Sequence, residues 1–372
     1  MVSDPVGRGP STRTARRRAL VLVAGATLLT AACQGGGDGG LRAGDDFSVV
    51  AAIGEIPAEV AEGAVYVSTA DLDSACEANG CTRPEDADDE EAVRDWMSAL
   101  TGGPAAPDGP VHVDLPDSLG GRTGTMADFR DQVGWSLVDV DSYVSFAVPP
   151  SSFTVVTGPE ALSDELVEVD DRVLSTSDAE DGWVDPSSAS AIDSLGRPVR
   201  LTQDEDRTAL SLSTASVAAW RAGPEATLAD DESLLAVAGA MDDAGVVSSV
   251  LARDDFTVPD DAVGPGAARL PPFETVAVGW SGGDDAAITV AYGTGAGQDA
   301  EQLATALQDM FDEDVTSASA TSVGRPLSDV LVLDDVTVGD SLVTATVRPA
   351  AEGRPGTVME MLHVRDLLFS HR

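Results

Sequence analysis

Two stretches of the chain read as the same succession of elements, and that repetition constrains the fold more than any short motif. In the first, Tyr143-Val144-Ser145-Phe146-Ala147-Val148 and Phe153-Thr154-Val155-Val156-Thr157 alternate around Pro149-Pro150-Ser151-Ser152, the pattern of a β-hairpin. Gly158 ends it, and the spacing predicts a short helix over Pro159 to Val167. An acidic connection then leads to Gly196-Arg197-Pro198-Val199 and to strands over Val199 to Gln203 and Thr208 to Ser213. In the second stretch a hairpin from Thr275 to Tyr292 ends at Gly293, and a helix over Asp299 to Phe311 follows. After another acidic connection come Gly324-Arg325-Pro326-Leu327 and strands over Asp329 to Leu333 and Leu342 to Arg348. Both copies read hairpin, helix, Gly-Arg-Pro-aliphatic, strand pair. The prediction is an α+β fold of two similar modules, each an antiparallel sheet with helices packed on one face.

Apolar spacing fills in the modules. Val93, Trp96, Met97 and Leu100 recur at helical intervals between Glu90 and Leu100. Leu234, Val237, Ala238 and Met241 do so between Asp231 and Ala244, with Asp230 as the expected cap and Gly245 as the stop. Ala64 to Ser68 reads as a strand, and Thr357 to Phe369 as a terminal helix. Residues 47–259 then form an N-terminal module and 273–372 a C-terminal one. Residues 260–272 (DDAVGPGAARLPP) are the linker, because Pro and Gly interrupt any regular element there.

The first residues state a destination. Arg13, Arg16, Arg17 and Arg18 precede an apolar run from Ala19 to Ala32, which is short for a permanent membrane span and ends directly before Cys33. LLTAAC resembles the lipobox of bacterial lipoproteins. That resemblance implies removal of residues 1–32, acylation of Cys33, a Gly- and Asp-rich tether over 33–46, and residence on the outer face of the cell membrane. Ordinary cleavage near Ala32, releasing a soluble protein, is the alternative. All 22 basic residues are arginine, and together with the lipobox this resembles an actinobacterial secreted protein. In an exported chain Cys76 and Cys81, bracketing Asn79-Gly80, read as a disulfide that closes a short loop.

Charge removes whole classes of function. The net charge is −42, and loss of five arginines and Asp4 with residues 1–32 takes it to −42 − 5 + 1 = −46. Such a surface repels phosphates and excludes nucleic acid as a partner. Asp71, Asp73 and Glu77, and the run Glu85 to Glu91, match no calcium loop and read as solvated acidic loops, so no metal is expected. No cofactor fingerprint occurs. His112, His363 and His371 are the only histidines and lack zinc spacing; His371, beside the chain end, is expected to be disordered.

One motif points to catalysis. Gly279-Trp280-Ser281-Gly282-Gly283 matches the G-x-S-x-G elbow of serine hydrolases, and Asp334, Asp335 and His363 follow in the order such enzymes use. Yet Ala287 to Tyr292 alternates as a strand where an elbow needs a helix, so Ser281 is expected in a hairpin loop. The reading is an exported, lipid-anchored protein with no catalytic residues, which binds a protein or small hydrophobic ligand or serves an envelope complex. The alternatives are a carrier of a lipid or other hydrophobic ligand, and a serine hydrolase using Ser281.

Overall fold

Strands such as Thr275–Ser281 and Ile288–Gly293 carry apolar or small residues on both faces, and such strands are stable only when both faces are covered. The computed structural model describes residues 40–371, apart from 62, 104–108, 120–123, 259–269, 284–285, 296, 314 and 317–324. In chain order its elements are α1 (Val49–Ile53), β1 (Val65–Asp71), α2 (Leu72–Ala78), α3 (Glu90–Thr101), α4 (Met126–Val133), β2 (Ser142–Val148) and β3 (Ser151–Thr157). There follow β4 (Val167–Asp170), β5 (Val173–Ser175), β6 (Arg200–Asp204), β7 (Arg207–Ser211), α5 (Thr214–Ala222), α6 (Glu232–Asp243) and β8 (Val246–Arg253). The remainder are β9 (Thr275–Ser281), β10 (Ile288–Gly293), α7 (Ala300–Asp312), α8 (Leu327–Val330), β11 (Leu331–Val338), β12 (Leu342–Pro349) and α9 (Thr357–His363). The class is α+β.

The expectation of two separate sheets is corrected. All the described strands join one antiparallel sheet in the order β11-β12-β10-β9-β8-β1-β2-β3-β7-β6-β5-β4. The junction is β1 against β8, paired from Val65↔Arg253 to Ala70↔Ser248. Seven strands lie on the β1 side and five on the β8 side; with β4 and β5 set aside, β1-β2-β3-β7-β6 and β8-β9-β10-β12-β11 both read first, second, third, fifth, fourth. The two stretches thus share a strand order, but the sheet runs unbroken through both and residues 39–372 form one compact unit, so the expected pair of separate modules is not found.

Helices cover both faces, not one. On one face α1, α5 and α6 enclose Ile53, Trp220, Val237 and Met241 against Val67, Phe153, Leu251 and Ala277. On the other, α2, α3, α4, α7 and α9 enclose Trp96, Phe129, Leu303 and Met361 against Val156, Val278, Trp280 and Tyr292. Strand side chains alternate between these two cores, so β9 and β10 are buried along almost their whole length.

Local chemistry sets the helix ends. Asp89 caps α3 by accepting from the Ala92 amide, and Gly102 at φ 69° stops it. Asp231, not Asp230, caps α6, accepting from Ser233 and Leu234; Asp230 instead closes the preceding turn onto Thr227. The helix expected over Pro159 to Val167 is absent. Ser163 N–H bonds Val133 O at the end of α4, and a Cβ on Gly134 would lie 2.6 Å from Ser163 N, so the segment packs along another helix and forms none of its own.

The expected tether over 33–46 is also shortened. Leu41 is buried, its amide donates to Glu55 Oε1 at 2.8 Å, and Gly44 N–H donates to Asp71 Oδ2 at 2.6 Å. At the linker, residues 259–269 lie outside the described residues, while Leu270 is already in the core.

Candidate functional site

The turn at Ser281 is a hairpin. Ser281 N–H donates to Ala287 O at 3.0 Å, and its hydroxyl accepts from Ala287 N–H at 3.1 Å and reaches Ala287 O at 3.3 Å. Each glycine of the elbow-like motif has a steric or backbone reason. A Cβ on Gly279 would strike Met241 Sδ of α6 at 2.5 Å, one on Gly282 would meet Ala78 of α2 at 2.8 Å, and Gly283 turns at φ 84°. His363, expected as the triad base, is exposed and bonds Tyr66 Oη through Nε2 at 2.9 Å, and Asp334 pairs with Arg348. The structure thus joins neither His363 nor Asp334 to Ser281. Asp335 lies beside a bulge in edge strand β11.

Other expected sites fall as follows. Cys33 lies outside the described residues. Cys76 and Cys81 form a disulfide. Asp71 corrects the expectation of a solvated acidic loop: it is fully buried and caps α2, accepting from Asp73 N, Ser74 N and Ser74 Oγ. His371, expected to be disordered, is buried against Phe273, with its amide on Phe256 O. Among the described residues no group of three or more His, Cys, Asp or Glu could hold a metal ion, and no helix is long and apolar enough to cross a membrane.

One concavity has no counterpart in the sequence reading. A cleft of about 320 Å³ opens on the sheet, its floor made by Ser145 and Ala147 of β2, Ser152 of β3, and Leu210 and Ser211 of β7. Residues 116–118 and Thr125 form one wall, residues 190–199 the other, and Pro149 and Pro150 the rim. Both walls are insertions between the repeated strands, and 190–199 belongs to the connection from β3 to β6, where the second copy has α7 and α8 instead.

Ion pairs, each with one buried partner, brace the insertion. Arg200 is 2% exposed; it donates to Asp181 Oδ1 at 2.8 Å and to Ala179 O at 2.5 Å, and reaches Ser175 Oγ. Burial alone would raise the Asp181 pKa, but hydrogen bonds from Thr214 and Arg200 outweigh it and lower it. Asp193 behaves alike. Its burial is overcome by Arg197 Nε and Nη2 at 3.0 and 2.7 Å and by the Arg197 and Leu195 amides, so its pKa is lowered. Gly196, at φ 68°, lies where a Cβ would be 1.9 Å from Asp185 O. Its Gly-Arg-Pro tripeptide, first read as a repeat marker, therefore folds the cleft wall.

A polar knot lies one strand over. Tyr66 Oη donates to Asp114 Oδ2 at 2.9 Å, and Tyr143 Oη donates to Asp114 O at 2.7 Å. Burial first, and then the Asp114 charge, raise the Tyr66 pKa, so its single proton stays and is committed to Asp114. His363 Nε2 then donates to Tyr66 Oη and ties α9 to β1. Comparisons with protein-family models, with curated proteins and with solved structures each find no match.

Proposed function

We propose that the chain is an exported protein, anchored through acylated Cys33 to the outer face of the cell membrane, that binds a small ligand in the cleft over β2, β3 and β7 and performs no chemistry on it. The cleft carries this reading, because its volume of about 320 Å³ falls in the range of small-molecule sites and its wall is braced by ion pairs. The lipobox-like LLTAAC supports the anchor, and the Cys76–Cys81 disulfide suits an oxidising compartment. A lipid carrier has less support, since a cleft of this size with serines in its floor suits a compact, partly polar ligand better than a long acyl chain.

Cys33→Ala is expected to move the protein from the membrane fraction to the medium and to abolish incorporation of labelled palmitate. Unchanged membrane partition would remove the anchor from the reading. A small-molecule fragment screen followed by methyl-resolved NMR is expected to perturb Leu210, Val199 and Ile192. Hits confined to other regions would remove the cleft.

A further inference from the structure

Three hydroxyls beneath the cleft decide what it can hold. Thr154 Oγ1 is fully buried and lies 2.8 Å from Ser118 Oγ and 2.8 Å from Ser145 Oγ. Ser118 and Ser145 both line the cleft, and Thr154 is sealed behind them. Each hydroxyl has one proton, and Thr154 can give its own to only one neighbour. The low-energy arrangements therefore run Ser118→Thr154→Ser145 or the reverse. Either way one end offers the cleft a donor and the other offers only lone pairs, and the whole chain can reverse without moving a heavy atom.

We infer that the cleft binds a neutral, hydroxyl-bearing molecule of monosaccharide size, with neighbouring hydroxyls on the Ser118–Thr154–Ser145 chain and its C–H face toward Leu210, Val199 and Ile192. This rests on the cleft being the ligand site. A ligand hydroxyl both donates and accepts, as each end of the chain requires. A carboxylate would need donors at both ends and gets one. The cation at the wall, Arg197, is already bidentate on Asp193, and the chain's net charge of −42 repels anions. A purely apolar ligand would leave the free donor and acceptor unpaired, which desolvation makes costly.

The test uses the mature full-length chain and four probes: glucose, myo-inositol, acetate and octanoate. Saturation-transfer NMR is expected to detect glucose or myo-inositol, with shifts at the methyls of Leu210, Val199 and Ile192. Thr154→Val, which keeps the shape and cuts the chain, should weaken that binding at least tenfold. Ser118→Ala, at a partly exposed position where folding is not at stake, should weaken it several-fold. Wild-type affinity in both variants would overturn the inference. Acetate or octanoate shifting the cleft methyls while the polyols do not would overturn the ligand class and leave the cleft as the site. If neither these probes nor the fragment screen shifts those methyls, both readings fall together.

Discussion

Glu55 gathers three donors in a buried place. Its carboxylate accepts from the Leu41 amide at 2.8 Å, Arg207 Nη1 at 2.7 Å and Trp220 Nε1 at 2.6 Å. Residues far apart in sequence thereby meet at one group that is 5% exposed. Glu55→Ala would leave the indole and the arginine without their acceptor, and a loss of about 3 kcal/mol is expected in urea unfolding, the lower end for breaking a buried pair because Arg207 keeps some solvent. His112 makes a different prediction. Burial lowers its pKa below the ordinary 6.5, while its Nδ1 contacts Thr101 O and its ring packs on Trp280. The unfolded chain thus takes up a proton that the folded chain resists. The stabilisation is complete above pH 6.5 and is lost as pH falls from there through the lower folded value. The melting temperature of His112→Gln should decline less steeply between pH 7 and 5 than that of the wild type; parallel declines would show that this imidazole contributes nothing to acid sensitivity. Nothing in the spacing of three scattered histidines announces this, because burial arises from α3, α9 and β9 meeting in space.

Among elements, those with local signals were legible. α3 carries its cap, its apolar stripe and its stopping glycine in sequence, and α7 its apolar stripe, with Asp299 as its cap. The Ser281 hairpin was readable because strand alternation continues on both sides of the turn. β8 was not, since Val246–Arg253 is buried on both faces and shows no period-2 contrast. The cleft was invisible too: its serines come from β2, β3, β7 and two loops, and each looks ordinary alone. Helix α2 shows how an acidic segment misleads. Asp71 is a buried cap, and only Asp73 and Glu77 on that helix remain toward solvent. The Cys76–Cys81 bridge closes a loop of sequence separation 5 at the end of α2, so replacing both cysteines by serine should cost about 2 kcal/mol by loop entropy, read as a shift in the urea midpoint. A shift near zero would mean that helix packing alone holds the loop.

For the molecule as a whole, the junction of β1 and β8 governs cooperativity. Two halves of one strand order share a sheet, and α6 crosses from β8 to β10 while packing on α1 of the other half. Neither half can expose its first strand without opening both cores. A single calorimetric transition is expected, coincident with tryptophan fluorescence from Trp96, Trp135 and Trp220 in one half and Trp280 in the other. Two resolved transitions would show that the halves fold independently. The sequence carried the repeat but not this fusion, because an edge that pairs with a neighbouring copy has the same residue pattern as one that pairs within its own copy.

The clasp on Leu41 has a last consequence, one of distance. With Cys33 acylated as proposed, only six residues separate Cys33 from Gly40, and even fully stretched the seven steps between them reach about 25 Å. That is less than the length of a twenty-residue helix. The protein would ride close against the bilayer like a boat on a short mooring, meeting only those ligands that diffuse to within one molecular diameter of the lipid. Inserting flexible Gly-Ser repeats after Gly37 should extend that radius while leaving the Glu55 clasp and the cleft untouched.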